Sequence, residues 1–319
     1  MRKAIALTVK AAVSGLLLYF TLAAVNIGAV KARLYQIDPR WVAAGLMLLF
    51  AQLTIQAVRW ELLVVRCGGE LPLPRAFRFS VIGVFFNQTL PSSVGGDAVR
   101  IWLLGKQSDW RVAAYSVFLD RVVGVVALAA LVVICLPWSF ELIRNPVGRA
   151  GLLIIGLGCI AAGVIFVALA SPRLHILQRW APTRHLAAIA AVGFSVLRAP
   201  SSVTAVFGLS FAIHLLTAVA AWCAARSVGA DVTLLDSLFL VPPVILVTVI
   251  PISIAGWGVR EGAMAAAFGY AGLAPGDGLI VSLLFGAGFL VVGVIGGLVW
   301  ILTASRVDRH AIAVEAIDG

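Results

Sequence analysis

The sequence contains few charged residues. Asp, Glu, Lys and Arg make up 12% of the chain, against about 25% in a typical soluble domain. With 62% hydrophobic residues and a mean hydropathy of +1.07, too few polar side chains remain to cover a water-soluble surface. The composition excludes a soluble globular domain and predicts an all-α polytopic membrane protein.

Residue patterns typical of metal, redox or nucleotide chemistry are also lacking. The four histidines are not at ligand spacing, no CxxC motif occurs, and no nucleotide-binding motif is obvious. We therefore expect no metal, cofactor, disulfide framework or catalytic residue. The cysteines are scattered singly: Cys67, Cys135, Cys159 and Cys223.

The net charge of +10 is carried by basic residues that fall between apolar runs, as the positive-inside rule requires. Anionic lipid headgroups are the expected partners, and nucleic acid is not.

The most unusual stretch is Phe85 to Trp102, FFNQTLPSSVGGDAVRIW, an apolar run that becomes polar, glycine-rich and charged. Pro91 ends a helix because it lacks an amide hydrogen and disfavours helix for the residue before it. Ser92 and Ser93 can cap a new helix. The stretch predicts a broken helix.

Charged residues follow this break directly. Gly95 and Gly96 let the backbone bend or approach another group closely. Asp97 and Arg100 lie one turn apart on the helix that resumes.

A second stretch, IPISIAGWGVRE, repeats the design from Ile250 to Glu261. Pro91 and Pro251 precede Arg100 and Arg260 by the same spacing. Two proline- and glycine-interrupted segments in corresponding halves are typical of transporters with internal repeats, whose substrate site lies near the bilayer midplane. Other aligned pairs are Ser93 with Ser253, Gly96 with Gly256, and Asp97 with Trp257.

Six other apolar runs are long enough to cross a bilayer. Lys31 to Arg40 is then a short external loop, and a basic loop with Arg59, Arg66, Arg75 and Arg78 is cytoplasmic. The six runs are residues 11–30, 41–58, 113–137, 150–170, 203–225 and 279–303.

The two broken segments are too short to cross completely. Residues 76–90 would span about 22 Å as a helix, against a hydrocarbon core of about 30 Å. We expect re-entrant hairpins at 76–105 and 234–270, within repeats at about 41–137 and 201–303. Three crossings between the hairpins make the repeat inverted and place both termini in the cytoplasm.

We predict that residues 171–199 form a cytoplasmic interfacial segment, because arginines, Trp180 and two histidines lie among apolar residues there. The alternative, in which both broken segments cross fully and give about eight spans, would move this arginine-rich segment outside. We disfavour that alternative.

Asp120 and Arg121 lie inside an apolar run, and adjacent helical positions point about 100° apart, so each needs another partner. An intramembrane charge costs about 2.5–3.5 kcal/mol on insertion scales, which favours function over an ion-pair network that only pins the hairpins. Arg100 and Arg260 offer planar donor forks suited to a phosphodiester, and the helix starting near Gly96 offers free amide hydrogens. The candidate substrate-binding residues are Asn87, Ser93, Gly95, Gly96, Asp97, Arg100, Asp120, Arg121, Gly256, Gly258, Arg260 and Glu261, with Pro91 and Pro251 as helix breaks.

Several uncharged polar positions have a structural alternative. Asn87 and Gln88 either bind substrate or satisfy the broken backbone. Gln52 and Gln56 are expected to hydrogen-bond between helices or to line the path, and His214 to be a satisfied buried histidine. Glycines of the last span are expected to permit close packing: Gly286, Gly288, Gly293, Gly296 and Gly297.

The NxxLPxxxGGDxxR pattern at Asn87 to Arg100, the Asp120–Arg121 pair and GxGxRE at Gly256 to Glu261 resemble the flippase-like membrane region of the lysylphosphatidylglycerol synthase family. The resemblance covers nearly the whole chain. It implies translocation of an anionic or aminoacylated phospholipid, or a lipid-linked intermediate, across a bacterial cytoplasmic membrane. Because the chain ends at Gly319, we expect no aminoacyltransferase domain and do not carry over synthase activity.

Two other functions remain open. Asp38 in the first external loop is the kind of acid that serves polyprenyl-phosphate-dependent glycosyltransferases, although no second acid accompanies it. The chain could also be a non-transporting partner of an envelope-lipid synthase.

Overall fold

The computed structural model describes residues 2–23, 25, 27–90, 94–169, 200–250, 253 and 255–315, and every regular element in these ranges is an α-helix. This confirms the all-α fold class. The helices are α1 Arg2–Ala23, α2 Ile27–Leu34, α3 Pro39–Arg66, α4 Leu73–Thr89, α5 Gly95–Gly105, α6 Trp110–Leu142, α7 Pro146–Leu169, α8 Pro200–Ser227, α9 Leu234–Thr248, α10 Val259–Tyr270 and α11 Pro275–Glu315.

Within the described residues, four helices are long and apolar enough to cross a bilayer by length and composition. They are α3, α6, the Val203–Ser227 part of α8 and the Pro275–Thr303 part of α11. Their lengths of 28, 33, 25 and 29 residues exceed the roughly 20 residues that a membrane-spanning helix needs. The protein is therefore a polytopic membrane protein.

The first predicted span is not one continuous helix. Helix α1 ends at Ala23 and the short helix α2 begins at Ile27, and Val25 between them is a bend. Because residues 11–30 are apolar throughout, the sequence did not predict this interruption of the helix. The predicted external loop is also shorter, because α2 continues to Leu34 and α3 already begins at Pro39.

Helix α3 extends eight residues beyond its predicted end. Asp38 caps its start by accepting a hydrogen bond from the Arg40 amide at 2.9 Å, with Pro39 in the first turn. Because α3 continues to Arg66, Arg59 is a buried helical residue. Its assignment to a cytoplasmic loop was wrong.

Helix α6 continues through Pro137 to Leu142, so the proline does not end the span. At this position the ring is tolerated inside the helix, as happens in membrane-spanning helices whose neighbours satisfy the freed backbone groups.

The two broken segments form two pairs of short helices. Helices α4 and α5 pack against each other, as do α9 and α10. Helix α9 begins with Thr233 accepting from the Asp236 amide while the Asp236 carboxylate accepts from the Thr233 amide, a reciprocal cap. These helix pairs share their outer ends, Gly105, Leu234 and Tyr270, with the predicted hairpins.

The two breaks differ in local conformation. Helix α5 starts four residues after Pro91, whereas α10 starts eight residues after Pro251. Gly96 is helical, but its aligned partner Gly256 has φ 82° and belongs to the turns before α10. The equal proline-to-arginine spacing therefore does not produce equal helix starts.

Three predictions fall partly or wholly outside the described residues. These concern the helix-breaking prolines, the capping serines and the interfacial segment: Pro91, Pro251, Ser92, Ser93 and residues 171–199. For α5 itself the N-cap is Val94, with no side-chain cap hydrogen bond.

Hydrophobic packing holds the two helix pairs in separate clusters. Trp60 of α3, Phe79 of α4 and Leu104 of α5 lie in one cluster. Phe268 of α10 lies in another with residues of α8, α9 and α11. A third cluster joins α3, α4, α8 and α11, and the candidate site lies where these meet.

Close approach of α11 to α4 depends on glycine. A Cβ at Gly296 would collide with the carbonyl oxygen of Val81, and one at Gly297 would press against the Phe85 ring. At these two positions the structure bears out the expected packing role of the last-span glycines.

Candidate functional site

A cavity of about 360 Å³ lies between α3, α4, α5, α6, α8, α9, α11 and the start of α10 with the turn before it. Its volume falls within the ~300–1,000 Å³ typical of small-molecule sites. Arg100 of the first helix pair and Arg260 of the second both line it. The structure thus brings the two predicted arginines to one cavity, together with Asn87, Asp97, Asp120, Arg121 and Gly256.

Five charged side chains form an alternating network at one side of the cavity. Asp120 Oδ1 accepts from Arg59 Nε at 2.9 Å, and its Oδ2 accepts from Arg100 Nη2 at 3.0 Å. Asp97 Oδ1 accepts from Arg100 Nη1 at 3.4 Å, and its Oδ2 accepts from Arg121 Nε at 2.5 Å. The network joins α3, α5 and α6. Asp120 and Arg121 are neighbours in sequence, and the network gives each of them an ion-pair partner on another helix.

Arg100 is held by two carboxylates and a tryptophan ring, whereas its buried Nε has no hydrogen-bond partner among the described residues. Its side chain is 4% exposed, its guanidinium carbon lies 4.0 Å from the centre of the Trp60 ring, and two of its nitrogens bond to carboxylates. Stacking and ion pairing of this kind are favourable for a desolvated guanidinium. Arg100 therefore acts as the centre of the network, with little of its surface left for a ligand.

Arg121, by contrast, has a side chain that is 44% exposed. Its Nε donates to Asp97, and Arg121 is among the residues that line the cavity. Among the five network members it presents the largest exposed fraction, since the other four are all buried.

Arg59 was missed as a site residue by sequence reasoning. Besides Asp120 it contacts α8, donating from Nη1 to Ser210 Oγ at 2.8 Å. Gly124 makes room, since a Cβ there would lie 3.4 Å from the guanidinium. The signal was available: apolar residues resume at Leu62–Val65, so the arginine interrupts a longer apolar run.

A second, smaller network holds Arg260. Its Nη2 donates to Glu261 Oε1 at 2.7 Å and its Nε donates to Ser282 Oγ at 3.0 Å. The guanidinium carbon lies 5.0 Å from the centre of the Trp257 ring. The arginine of each helix pair thus contacts a tryptophan ring and a carboxylate. A Cβ at Gly286 would collide with the Arg260 guanidinium.

Glu261 lies behind Arg260 and is fully buried, at 0% exposure. Its Oε1 accepts from Ser282 Oγ at 2.9 Å, and its Oε2 accepts from the Gly258 amide at 2.6 Å. This backbone bond satisfies an amide at the start of α10, where Gly258 has φ 86°, a conformation that favours glycine. Gly258 packs on Ser14 of α1 and is not among the cavity-lining residues.

Asn87 satisfies the broken backbone, one of its two expected roles. Its Oδ1 accepts from the Gly96 amide at 2.8 Å, so this amide is not free for a ligand as the sequence had suggested. A Cβ at Gly96 would collide with the Gly83 carbonyl, and one at Gly95 would lie 2.8 Å from Leu90. The two glycines allow α4 and α5 to approach closely.

The remaining wall of the cavity carries uncharged polar groups. Gln52 Oε1 accepts from Thr217 Oγ1 at 3.2 Å, which links α3 to α8. His214 Nε2 lies 2.9 Å from the Gly124 carbonyl oxygen, as expected for a satisfied histidine. Gln56 makes no hydrogen bond with another described residue, and all of these side chains line the cavity.

The chain was compared with known protein families. Residues 7–311 match the family described as the lysylphosphatidylglycerol synthase TM region. A search of curated proteins found no match.

Proposed function

The chain belongs to the family of the lysylphosphatidylglycerol synthase TM region, and from this premise we propose that it translocates a lipid with an anionic headgroup between the leaflets of a bilayer. The observation that carries the proposal is the cavity, to which both short-helix pairs contribute an arginine. Charged residues inside a membrane protein mark substrate pathways because burying them without a function is costly.

The two helix pairs are assigned as re-entrant hairpins of an inverted repeat. Helix α4 has 17 residues and α9 has 15, which correspond to about 26 and 22 Å, less than the ~30 Å hydrocarbon core. With this assignment the cavity lies near the bilayer midplane, and both termini lie on the cytoplasmic side. The protein is assigned to the bacterial cytoplasmic membrane.

Exposed apolar residues at the ends of the hairpins provide a route for acyl chains. Leu90 and Val94 flank the first break, and Val249 and Ile250 precede the second, each with an exposed side chain. Because lipid tails are as apolar as these side chains, the acyl chains remain in the bilayer while the headgroup enters the cavity.

The headgroup phosphate is assigned to Arg121 and Arg260. Arg121 is the most exposed arginine of its network. Arg260 uses Nε and Nη2 for Ser282 and Glu261, and its Nη1 makes no hydrogen bond with another described residue. A guanidinium nitrogen such as Arg260 Nη1 is suited to a phosphate oxygen.

The test is transport in proteoliposomes. Purified protein reconstituted with fluorescent phosphatidylglycerol should make inner-leaflet label accessible to an external reductant. Arg260→Met removes a charge-assisted bond worth about 1.5–3 kcal/mol and should slow transport at least about tenfold. Arg40→Met, at an exposed arginine outside the cavity, should leave the rate unchanged.

Two results would overturn the proposal. One is the absence of movement for every phospholipid and lipid-linked sugar in a broad panel. The other is an Arg260→Met protein that transports as fast as the Arg40→Met control.

A further inference from the structure

We propose, building on the translocase function above, that the cavity takes phosphate headgroups bearing uncharged hydroxyl groups and rejects aminoacyl headgroups that carry an ammonium. The inference concerns which lipids the site distinguishes. It follows from how the carboxylates of the site are already occupied.

Every carboxylate oxygen of the larger network has an arginine as its donor. Arg100 and Arg121 each bind one oxygen of Asp97, and Arg59 and Arg100 each bind one oxygen of Asp120. Both aspartates are buried. An ammonium that approached either aspartate would come close to the guanidiniums paired with it, and like charges this near are unfavourable.

Both carboxylate oxygens of Glu261 also accept hydrogen bonds from the protein. One oxygen accepts from Arg260 and Ser282, and the other accepts from the Gly258 amide. Because Glu261 is fully buried and does not line the cavity, it offers no surface to a cationic headgroup.

The balance of charge points the same way. Four arginines line the cavity, and three carboxylates pair with them within the described part of the chain, which leaves one excess positive charge there. A phosphate monoanion neutralises this excess. A lysyl ester, whose amino groups add positive charge beside four guanidiniums, is repelled because unpaired like charges in a partly buried site are costly.

Uncharged hydrogen-bonding groups in the same cavity suit hydroxyl groups. Gln52, Gln56, Gln88 and Thr217 line the same cavity from α3, α4 and α8. Amide and hydroxyl side chains both donate and accept, as a glycerol or sugar hydroxyl does. The site thus offers arginines to the phosphate and neutral polar groups to the rest of the headgroup.

Binding tests the inference independently of transport. Native mass spectrometry of the full-length protein in detergent, offered equal amounts of phosphatidylglycerol and lysylphosphatidylglycerol, should show at least about tenfold preference for phosphatidylglycerol, or about 1.4 kcal/mol. Equal retention of the two lipids, preference for the lysyl lipid, or retention of neither would overturn the inference.

A charge-removing variant tests its cause. Arg121→Gln frees one oxygen of Asp97 and removes the excess positive charge, so the ratio of lysyl lipid to phosphatidylglycerol bound should rise at least about fivefold. Arg111→Gln removes an exposed arginine from the same helix and should leave the ratio unchanged. An equal ratio for the two variants would contradict the role assigned to the occupied carboxylates.

A transport assay distinguishes the two kinds of lipid that could carry the hydroxyl-bearing headgroup. Proteoliposomes carrying either labelled phosphatidylglycerol or a labelled polyprenyl phosphate with a neutral sugar separate phospholipid from lipid-linked sugar. Movement of either one without the lysyl lipid supports the inference. Movement of the lysyl lipid at the same rate contradicts it, and movement of no lipid contradicts the translocase function while the binding preference still stands.

Discussion

Asp120 joins two arginines from different helices, so its replacement should destabilise the fold more than the loss of either partner. Asp120→Asn leaves Arg59 and Arg100 buried with one carboxylate, Asp97, in the network. Breaking a buried ion pair costs about 3–5 kcal/mol, and because Asn keeps one carbonyl acceptor we expect about 3 kcal/mol. Arg59→Met removes the 2.9 Å bond to Oδ1 but leaves the bond from Arg100, which corresponds to about 2 kcal/mol.

The double variant Arg59→Met with Asp120→Asn removes both members of one pair. It should cost at least about 1.5 kcal/mol less than the sum of the single variants, since contacting residues couple by ~0.5–3 kcal/mol. Reversible unfolding in mixed micelles with increasing SDS, followed by circular dichroism, measures these values. Arg111→Met on the same helix is the control.

Additive effects within about 0.5 kcal/mol would refute this reasoning. So would an Asp120→Asn protein no less stable than the Arg111→Met control. Either result would mean that the buried charges are held by solvent within the cavity and not by one another.

Three further predictions concern single positions. Gly286→Ala places a Cβ against the second-hairpin arginine and should lower both the melting temperature and the transport rate, whereas Gly151→Ala, which has nothing within 4 Å, should change neither. Asn87→Ala should destabilise by about 1 kcal/mol because the Gly96 amide loses its acceptor, and Asn87→Asp, which keeps an oxygen there, should lose less than half as much by thermal unfolding. Burial raises the pKa of the Cys67 thiol to about 11, so with the other cysteines replaced by alanine its maleimide labelling rate should keep rising between pH 8 and pH 10, and a plateau by pH 9 would contradict the burial.

The broken helices were accessible from the sequence because proline, glycine and charge interrupt apolar runs in ways that local physics penalises. Pro91 and Pro251 directed attention to both cavity arginines, and the depth of Asp120 showed that it needed a partner. Such features are local and can be read along the chain. The identity of the partners of Asp120 depends on the tertiary structure, which the sequence alone does not give.

Arg59 shows where this reasoning failed. Its helix was ended at the first arginine because a charge after an apolar run usually marks the membrane boundary. The residue is instead buried, since Asp120 and Ser210 from two other helices surround it. The break between α1 and α2 was missed for a related reason. Apolar composition predicts that a segment lies in lipid, but it does not predict whether the helix is continuous.

The equal spacing of the two prolines and arginines also predicted more likeness than the structure contains. Gly96 continues a helix while Gly256 turns the chain, so the arginine stands at the sixth residue of α5 but the second of α10. Sequence spacing fixes contour length, and neighbouring packing fixes where a helix begins. Trp60 and Trp257 nevertheless reach the corresponding arginines from different positions in the chain.

The alternating row of five charges has unequal ends. Arg59 is buried at one end, while Arg121 at the other is partly open. A phosphate that draws Arg121 toward itself removes the shorter of the two ion pairs of Asp97, and only the 3.4 Å contact with Arg100 then remains. Under the proposed function, arrival of a headgroup phosphate would remove one of the two ion pairs between α5 and α6, while the 3.0 Å pair of Arg100 with Asp120 would still join the two helices.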